Sequence, residues 1–152
     1  MKPINNHQLE NCNANDHHKI ELSIPHRSEY VSLIRLTVAS IANRMGFDVE
    51  EIEDIKVALS EACSNAIKHG GCAEDENFTV QFTREQKRLL ISVADSGKGY
   101  SVESVEPPNT EILNEGGLGI FIIKSLMDDV RITSGNRQGT SITMIKNLRE
   151  DA

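Results

Sequence analysis

The order of helical and strand patterns is the feature that most constrains how this chain folds. From residue 20 onward, the hydrophobic spacing predicts a strand, two long helices, two strands, a glycine-rich loop, a helix and two final strands. Long helices interleaved with strand pairs predict a two-layer α/β sandwich, with helices covering one face of a mixed sheet. The βαβ alternation of a Rossmann fold is missing. With 152 residues, the chain has the length of one compact domain.

Polar segments mark the expected limits of this domain. Residues 1–18 are rich in Asn and His and lack periodicity, which predicts a disordered tail before a folded domain at 19–149. Residues 100–115 are acidic, carry Pro107 and Pro108, and contain no Lys or Arg. This composition predicts a mobile lid within the domain.

Charge and composition exclude several classes of protein. The chain has 16 basic and 23 acidic residues, a net charge of -7, whereas proteins that bind nucleic acid directly need Lys and Arg for phosphate contacts. Four Phe, two Tyr and no Trp leave few platforms for base stacking. No apolar run approaches the roughly 20 residues of a membrane span. The N-terminus has no secretory leader and the three cysteines are irregularly spaced, so we expect a cytoplasmic protein with reduced thiols.

A polar line on the second predicted helix is the first candidate site. Glu61, Asn65 and His69 recur every four residues and therefore share one face. Asn is unfavourable inside a helix, because its side chain competes with the backbone for hydrogen bonds. One interpretation is an amide that bonds a neighbouring loop. The other is an Mg²⁺ ligand at Asn65, with Glu61 activating a hydroxyl or water for attack on a phosphoryl group.

Two glycine motifs follow. Asp95-Ser-Gly-Lys-Gly99 ends the central strand, where Asp95 is placed to accept a hydrogen bond from an exocyclic amine such as that of adenine. Glu115-Gly-Gly-Leu-Gly119 leads into an apolar helix, and such a loop presents backbone N–H groups to phosphates. Thr140 opens the last strand and is placed to support Asp95 through water. Each motif has a purely structural alternative, as a turn, a helix entry or a strand residue.

In this order, the motifs resemble the GHKL ATPase superfamily. Within it, the chain looks like the small bacterial anti-sigma-factor serine kinases of the RsbW and SpoIIAB type, closest to RsbW. The resemblance covers about residues 20–148. The most specific stretches are IRLTVASIANRMGF (34–47), EIEDIKVALSEACSNAIKH (51–69), ADSGKG (94–99) and EGGLGIFIIKSLMDDV (115–130).

The resemblance implies ATP and Mg²⁺ as cofactors and a role for each motif. Glu61 would be the general base for a protein serine, Asn65 would hold Mg²⁺, and Asp95 would bind the adenine amine. The other positions that the resemblance assigns to nucleotide binding are His69, Gly97, Gly99, Gly116, Gly117, Leu118, Gly119 and Thr140. One departure is the acidic lid, which offers no cation to the γ-phosphate, with Glu115 where some relatives carry a base.

The resemblance also implies partners. They are a sigma factor, which the protein would sequester, an anti-anti-sigma factor, which it would phosphorylate on serine, and a second copy in a homodimer. Arg35, on the first helix, falls on a partner-binding arginine of the family; alternatively, it lays its stem along apolar surface with its head in water. The rival hypothesis is a non-catalytic module that binds ATP and protein. A histidine-kinase fragment is disfavoured, because the tail is too short and polar for a phosphoacceptor hairpin.

Overall fold

The computed structural model describes residues 17–69, 77–95, 115–135 and 139–149. A short 3₁₀ turn at Ser28–Tyr30 precedes the first helix. The strands are β1 (His18–Pro25), β2 (Asn77–Arg84), β3 (Arg88–Asp95), β4 (Asp129–Gly135) and β5 (Gly139–Asn147), and the helices are α1 (Val31–Met45), α2 (Val49–His69) and α3 (Glu115–Leu126). The described elements follow the order that the sequence pattern predicts, although β1 begins at His18, inside the segment expected to be tail.

The strands form one sheet in the order β1-β2-β3-β5-β4, and every adjacent pair within the described residues is antiparallel. The α/β sandwich is confirmed, but the expectation of a mixed sheet is wrong. The connection from β3 through α3 makes β4 run in the same direction as β3. Because β5 inserts between these two strands, they never pair, and both neighbours of β5 are antiparallel to it.

Alternation along the strands places one face of the sheet against the helices. On β2 and β3 every second side chain is buried, and the residues between them are partly exposed. Helix α2 packs against β3, β5 and both other helices, which places it at the centre of the helical layer. The fully buried side chains that join the two layers include Phe78, Val80, Phe82, Leu89 and Ile91 from the sheet and Ile34, Val38, Ile55, Leu59 and Ile123 from the helices.

The junction between α1 and α2 is fixed by local chemistry. Gly46 ends α1 with φ of 96°, a left-handed conformation that side chains disfavour. Two residues later, the backbone N–H of Glu51 donates to Oδ1 of Asp48 at 2.8 Å, and the N–H of Asp48 donates to Oε1 of Glu51 at 3.2 Å. This reciprocal pair is the capping box expected from the sequence, and it fixes where α2 begins.

Helix α3 is longer at its N-terminus than the sequence predicts. The run from Glu115 to Gly119 forms the first turns of the helix and is not a loop that leads into it. At the other end, the buried Lys146 of β5 donates from Nζ to the backbone oxygen of Leu126 at 2.7 Å. This bond satisfies a carbonyl at the end of the helix and fixes α3 to the sheet.

Candidate functional site

Glu61 and Asn65 of α2 meet Gly119 of α3. A Cβ built on Gly119 would lie 3.1 Å from Oε2 of Glu61 and 3.6 Å from both Nδ2 and Oδ1 of Asn65. A contact at 3.1 Å is shorter than ordinary van der Waals packing, so a side chain here would displace the Glu61 carboxylate. The missing side chain of Gly119 therefore lets the first turns of α3 approach the polar face of α2 closely.

Asn65 combines burial with an unpaired donor. Its side chain is 6% exposed, and Nδ2 is buried with no hydrogen-bond partner among the described residues. An unsatisfied buried polar group costs about 1–3 kcal/mol and calls for an explanation. A ligand that accepts from Nδ2 explains it, and Oδ1 is an oxygen of the type that Mg²⁺ prefers. The structure shows no partner for Nδ2 in a neighbouring loop within the described residues.

Helix α3 and strand β5 have comparable lengths. Lys146 holds the last residue of α3 at the far end of β5. Twelve helical residues span about 18 Å, and the six residue steps from Lys146 back to Thr140 cover about 20 Å. A helix of this length lying alongside β5 would bring the N–H groups of its first turn, which carry the positive end of the helix dipole, to the Thr140 end of the sheet.

Asp95 and Thr140 are neighbours across the sheet. Asp95 is the last residue of β3 and pairs in register with Thr140, the second residue of β5. Thr140 is 5% exposed, whereas Asp95 is partly exposed. The two residues are adjacent because β5 lies beside β3, so Thr140 is near enough for the expected support of Asp95, which stays a prediction.

The other predicted positions are placed as follows. Arg35 is exposed on α1, and Leu118 is 42% exposed on α3. His69 is the last residue of α2, and Gly116 and Gly117 lie in the first turn of α3. Gly97, Gly99 and nearly all of the predicted lid fall outside the described residues.

The oxygen atoms that the protein offers here suit a metal ion whose other ligands are the phosphates of a bound nucleotide. Within the described parts of the chain, no group of three or more His, Cys, Asp or Glu side chains could hold a metal. Mg²⁺ in phosphoryl-transfer sites takes only one or two protein oxygens and completes its shell with phosphates and water. One amide at Asn65 therefore fits Mg²⁺ delivered with a nucleotide.

Sequence reasoning missed Lys146, which fixes the C-terminal end of α3 to the sheet. The available signal was a lysine on the same strand face as Ile142 and Met144, both of which are buried. A charged residue in such an alternating apolar series needs a specific partner when it is buried. Which carbonyl supplies that partner is decided only by the packing of α3.

Comparison with known proteins gives consistent matches. A profile described as "Histidine kinase-like ATPase domain" matches residues 24–146. The serine-protein kinase RsbW of Bacillus subtilis (strain 168) is 40% identical over 139 residues, covering 85% of this chain and 85% of that protein. RsbW of Bacillus cereus (strain B4264) is 38% identical over 141 residues, covering 88% and 87%.

Solved structures show the same fold. The RsbU and RsbW domains of a Mycobacterium tuberculosis protein align with a TM-score of 0.67 at 20% identity, over 89% of this chain and 34% of that one. The histidine kinase domain of a blue-light activated kinase from Erythrobacter litoralis aligns with a TM-score of 0.56 at 21% identity, over 90% and 65%. Among the described helices, none is both long and apolar enough to cross a membrane.

Proposed function

The chain belongs to the histidine kinase-like ATPase family, in its RsbW serine-protein kinase branch, and on that premise we propose that it is an anti-sigma factor with protein-serine kinase activity. It sequesters an alternative sigma factor and uses Mg-ATP to phosphorylate a serine of an anti-anti-sigma factor. The observation that carries the catalytic part is the contact of Glu61 and Asn65 with Gly119, together with the buried Asn65 Nδ2, which has no partner among the described residues.

Each residue of the candidate site on α2 and α3 has a chemical role in this proposal. Glu61 accepts the proton of the attacking serine hydroxyl, because a carboxylate within reach of that hydroxyl acts as a general base. Asn65 would hold Mg²⁺ through Oδ1, and its Nδ2 would donate to a phosphate oxygen. When bound, Mg²⁺ would supply positive charge that offsets the charge of the transferring phosphoryl group. The N–H groups at the start of α3 bind the phosphates.

The adenine end of the site is part of the same proposal. Asp95 accepts a hydrogen bond from the adenine amine, and Thr140, buried beside it, supports that carboxylate. We place Gly97, Gly99 and His69 around the nucleotide and assign the 100–115 segment as the lid. In this arrangement a single domain at about 19–149 both binds ATP and recognises its protein partners.

The partner surface includes the exposed side of α1. Leu33 and Leu36 are 49% and 71% exposed, and Arg35 lies between them. Exposed apolar side chains beside an arginine are typical of protein interfaces. We assign this surface to sigma-factor and antagonist binding in a cytoplasmic homodimer. The net charge of -7 supports control of transcription through a protein partner and not through direct contact with nucleic acid.

The decisive experiment replaces the base. Glu61→Gln keeps the shape of the side chain and removes its basicity, so transfer of labelled phosphate from ATP to the antagonist should fall by about 10²–10⁴-fold. Nucleotide affinity, measured by isothermal titration with Mg-ATP, should stay within a few-fold of wild type. Glu53→Gln, an exposed carboxylate on the same helix, is the matched control and should change neither quantity.

Two results would reject the catalytic proposal. One is full phosphotransfer by Glu61→Gln. The other is a wild-type protein that binds Mg-ATP and sigma factor but transfers no phosphate to any candidate antagonist, which would establish the non-catalytic binding module instead.

A further inference from the structure

A half-open pocket lies between α1 and the sheet, and the proposed function does not use it. It is formed where the C-terminal half of α1 passes over the start of β1 and the end of β2, and its volume is about 270 Å³. The described residues that line it are His18, Ile20, Ser40, Ile41, Arg44, Phe82 and Arg84.

The floor of this pocket is apolar. Ile20 pairs in register with Phe82, so both lie on the sheet face that the helices cover. Phe82 and Ile41 are buried, yet Ile20 remains 42% exposed, whereas Ile24 on the same face of β1 is 5% exposed. The helical layer therefore leaves apolar surface uncovered at this one end of β1.

The rim carries two arginines, Arg44 and Arg84. Arg44 and Arg84 form no ion pair with any carboxylate in the described part of the chain, and none of the described lining residues is acidic. The last turn of α1 accounts for a cation at Arg44, since the helix dipole is negative there. It does not account for Arg84, on a different element. Two arginines that pair with no described carboxylate, above an apolar floor, are unusual in a chain of net charge -7.

Several occupants fit poorly. The volume lies just below the roughly 300–1,000 Å³ typical of small-molecule pockets. Phe82 is 1% exposed, so it offers no face for a nucleic-acid base to stack on. A two-fold contact centred on this patch would place it against its own copy and bring like charges together.

We propose that this pocket anchors an acidic segment of a partner protein, with one or two apolar side chains on the floor and flanking Asp or Glu on Arg44 and Arg84. The volume suits side chains and not a whole drug-sized ligand. Among the described strands β1 pairs only with β2, and a strand at the edge of a sheet can pair with an extended segment of a partner.

The pocket is separate from the surface around Arg35. Arg44 lies nine residues further along α1, and at about 100° per residue the two side chains are half a turn out of phase. The inference does not depend on the proposed kinase activity, because none of the pocket residues belongs to the Glu61 site. Its failure would therefore leave the proposed function intact.

The test uses the full chain and a fluorescein-labelled peptide with a central Leu-Phe pair flanked by Asp and Glu. Fluorescence anisotropy should show saturable binding that weakens as salt rises from about 0.05 M to about 0.5 M. The Arg44→Glu/Arg84→Glu variant should bind at least about tenfold more weakly, since each substitution reverses a contact charge. The matched control is Lys124→Glu/Arg131→Glu, which changes the net charge equally but lies on α3 and β4, away from the pocket and from β1, and it should keep affinity within about twofold.

A second protein variant and a second peptide separate the effect of charge from that of the apolar side chains. Arg44→Gln/Arg84→Gln is the gentler variant, checked with the others by circular dichroism, and should also lose affinity. A peptide with Ala in place of Leu-Phe should bind at least about tenfold more weakly, because it lacks the apolar anchor. Equal affinity for the pocket and control variants, or no binding to wild type, would overturn the proposal. If charge reversal instead shifts the sedimentation coefficient without affecting peptide binding, the face contacts a second copy and the proposal is wrong.

Discussion

Gly119 shows how one residue sets the geometry of the proposed site. Glycine in a helix usually destabilises the fold by roughly 0.5–1 kcal/mol relative to alanine. Here the missing Cβ leaves room for the Glu61 carboxylate and the Asn65 amide. A methyl group at this position would contact both of them. The close approach of α2 and α3 therefore takes precedence over helix propensity at this position.

Gly119→Ala should separate stability from activity. Alanine favours the helix, and the flexible Glu61 side chain can retreat by a few tenths of an ångström, so the free energy of unfolding should stay within about 1 kcal/mol of wild type. Phosphotransfer should fall by about tenfold or more, because displacement of reacting groups is costly in catalysis. Urea denaturation and labelled-phosphate transfer measure the two effects. Ser125→Ala, at an exposed position of the same helix, should change neither; equal activity of both variants would contradict the assigned close contact.

Helix α2 is the element on which the site depends. Its first turn is closed by the Asp48–Glu51 capping box, its middle is buried, and its C-terminal half carries Glu61 and Asn65. The cap and the site are about 20 Å apart along the helix, since 13 residues separate Asp48 from Glu61. In the proposed function the two ends therefore serve different purposes, with helix capping at one end and phosphoryl transfer at the other.

Asp48→Ala should lower stability without altering the chemistry. Removing the side-chain acceptor leaves a helix N–H unpaired, and the expected loss in the free energy of unfolding is about 1 kcal/mol. The catalytic rate, measured well below the unfolding temperature, should be unchanged because of the distance to Glu61. Glu50→Gln, which removes an exposed first-turn charge outside the box, should cost only a few tenths of a kcal/mol. A comparable loss for both variants would mean that charge and not capping dominates.

At the scale of the whole molecule, the sheet order assembles the site. Asp95 and Thr140 are far apart in sequence and meet because β5 lies between β3 and β4.

The hydrophobic core between sheet and helices contains Cys63, which is fully buried on α2, and burial raises the pKa of its thiol from 9.0 to about 12. The thiolate is disfavoured there because it would lose its hydration.

That burial predicts how stability depends on alkaline pH. Between about pH 8 and pH 10 the unfolded chain releases the Cys63 proton while the folded chain keeps it, so the stability falls as pH rises. The loss should be about 1.4 kcal/mol greater in wild type than in Cys63→Ala, as measured by urea denaturation at both pH values. Taking this difference removes the contributions of Lys and Tyr, which titrate in both proteins. Parallel pH profiles for the two proteins would show that the thiol is not shielded in the folded state.

The amino-acid sequence alone determined the local features of this protein. Period-two and helical spacing gave the elements and their order, the Asp48 and Glu51 spacing gave a capping box, and the four-residue recurrence of Glu61 and Asn65 gave a shared helix face. These features depend on residues close together in the chain, whose geometry is set by backbone periodicity. The ordered motifs also predicted the family that the comparisons confirm.

Only the tertiary structure decided the rest. The insertion of β5, which makes the described sheet antiparallel, depends on long-range pairing that no local pattern specifies. The approach of Gly119 to Glu61, the bond from Lys146 to α3 and the basic pocket at the end of α1 each join residues from separate elements. Such contacts follow from how whole apolar faces pack together. Local sequence therefore predicts the parts of the site, and the packing of the core decides which of them meet.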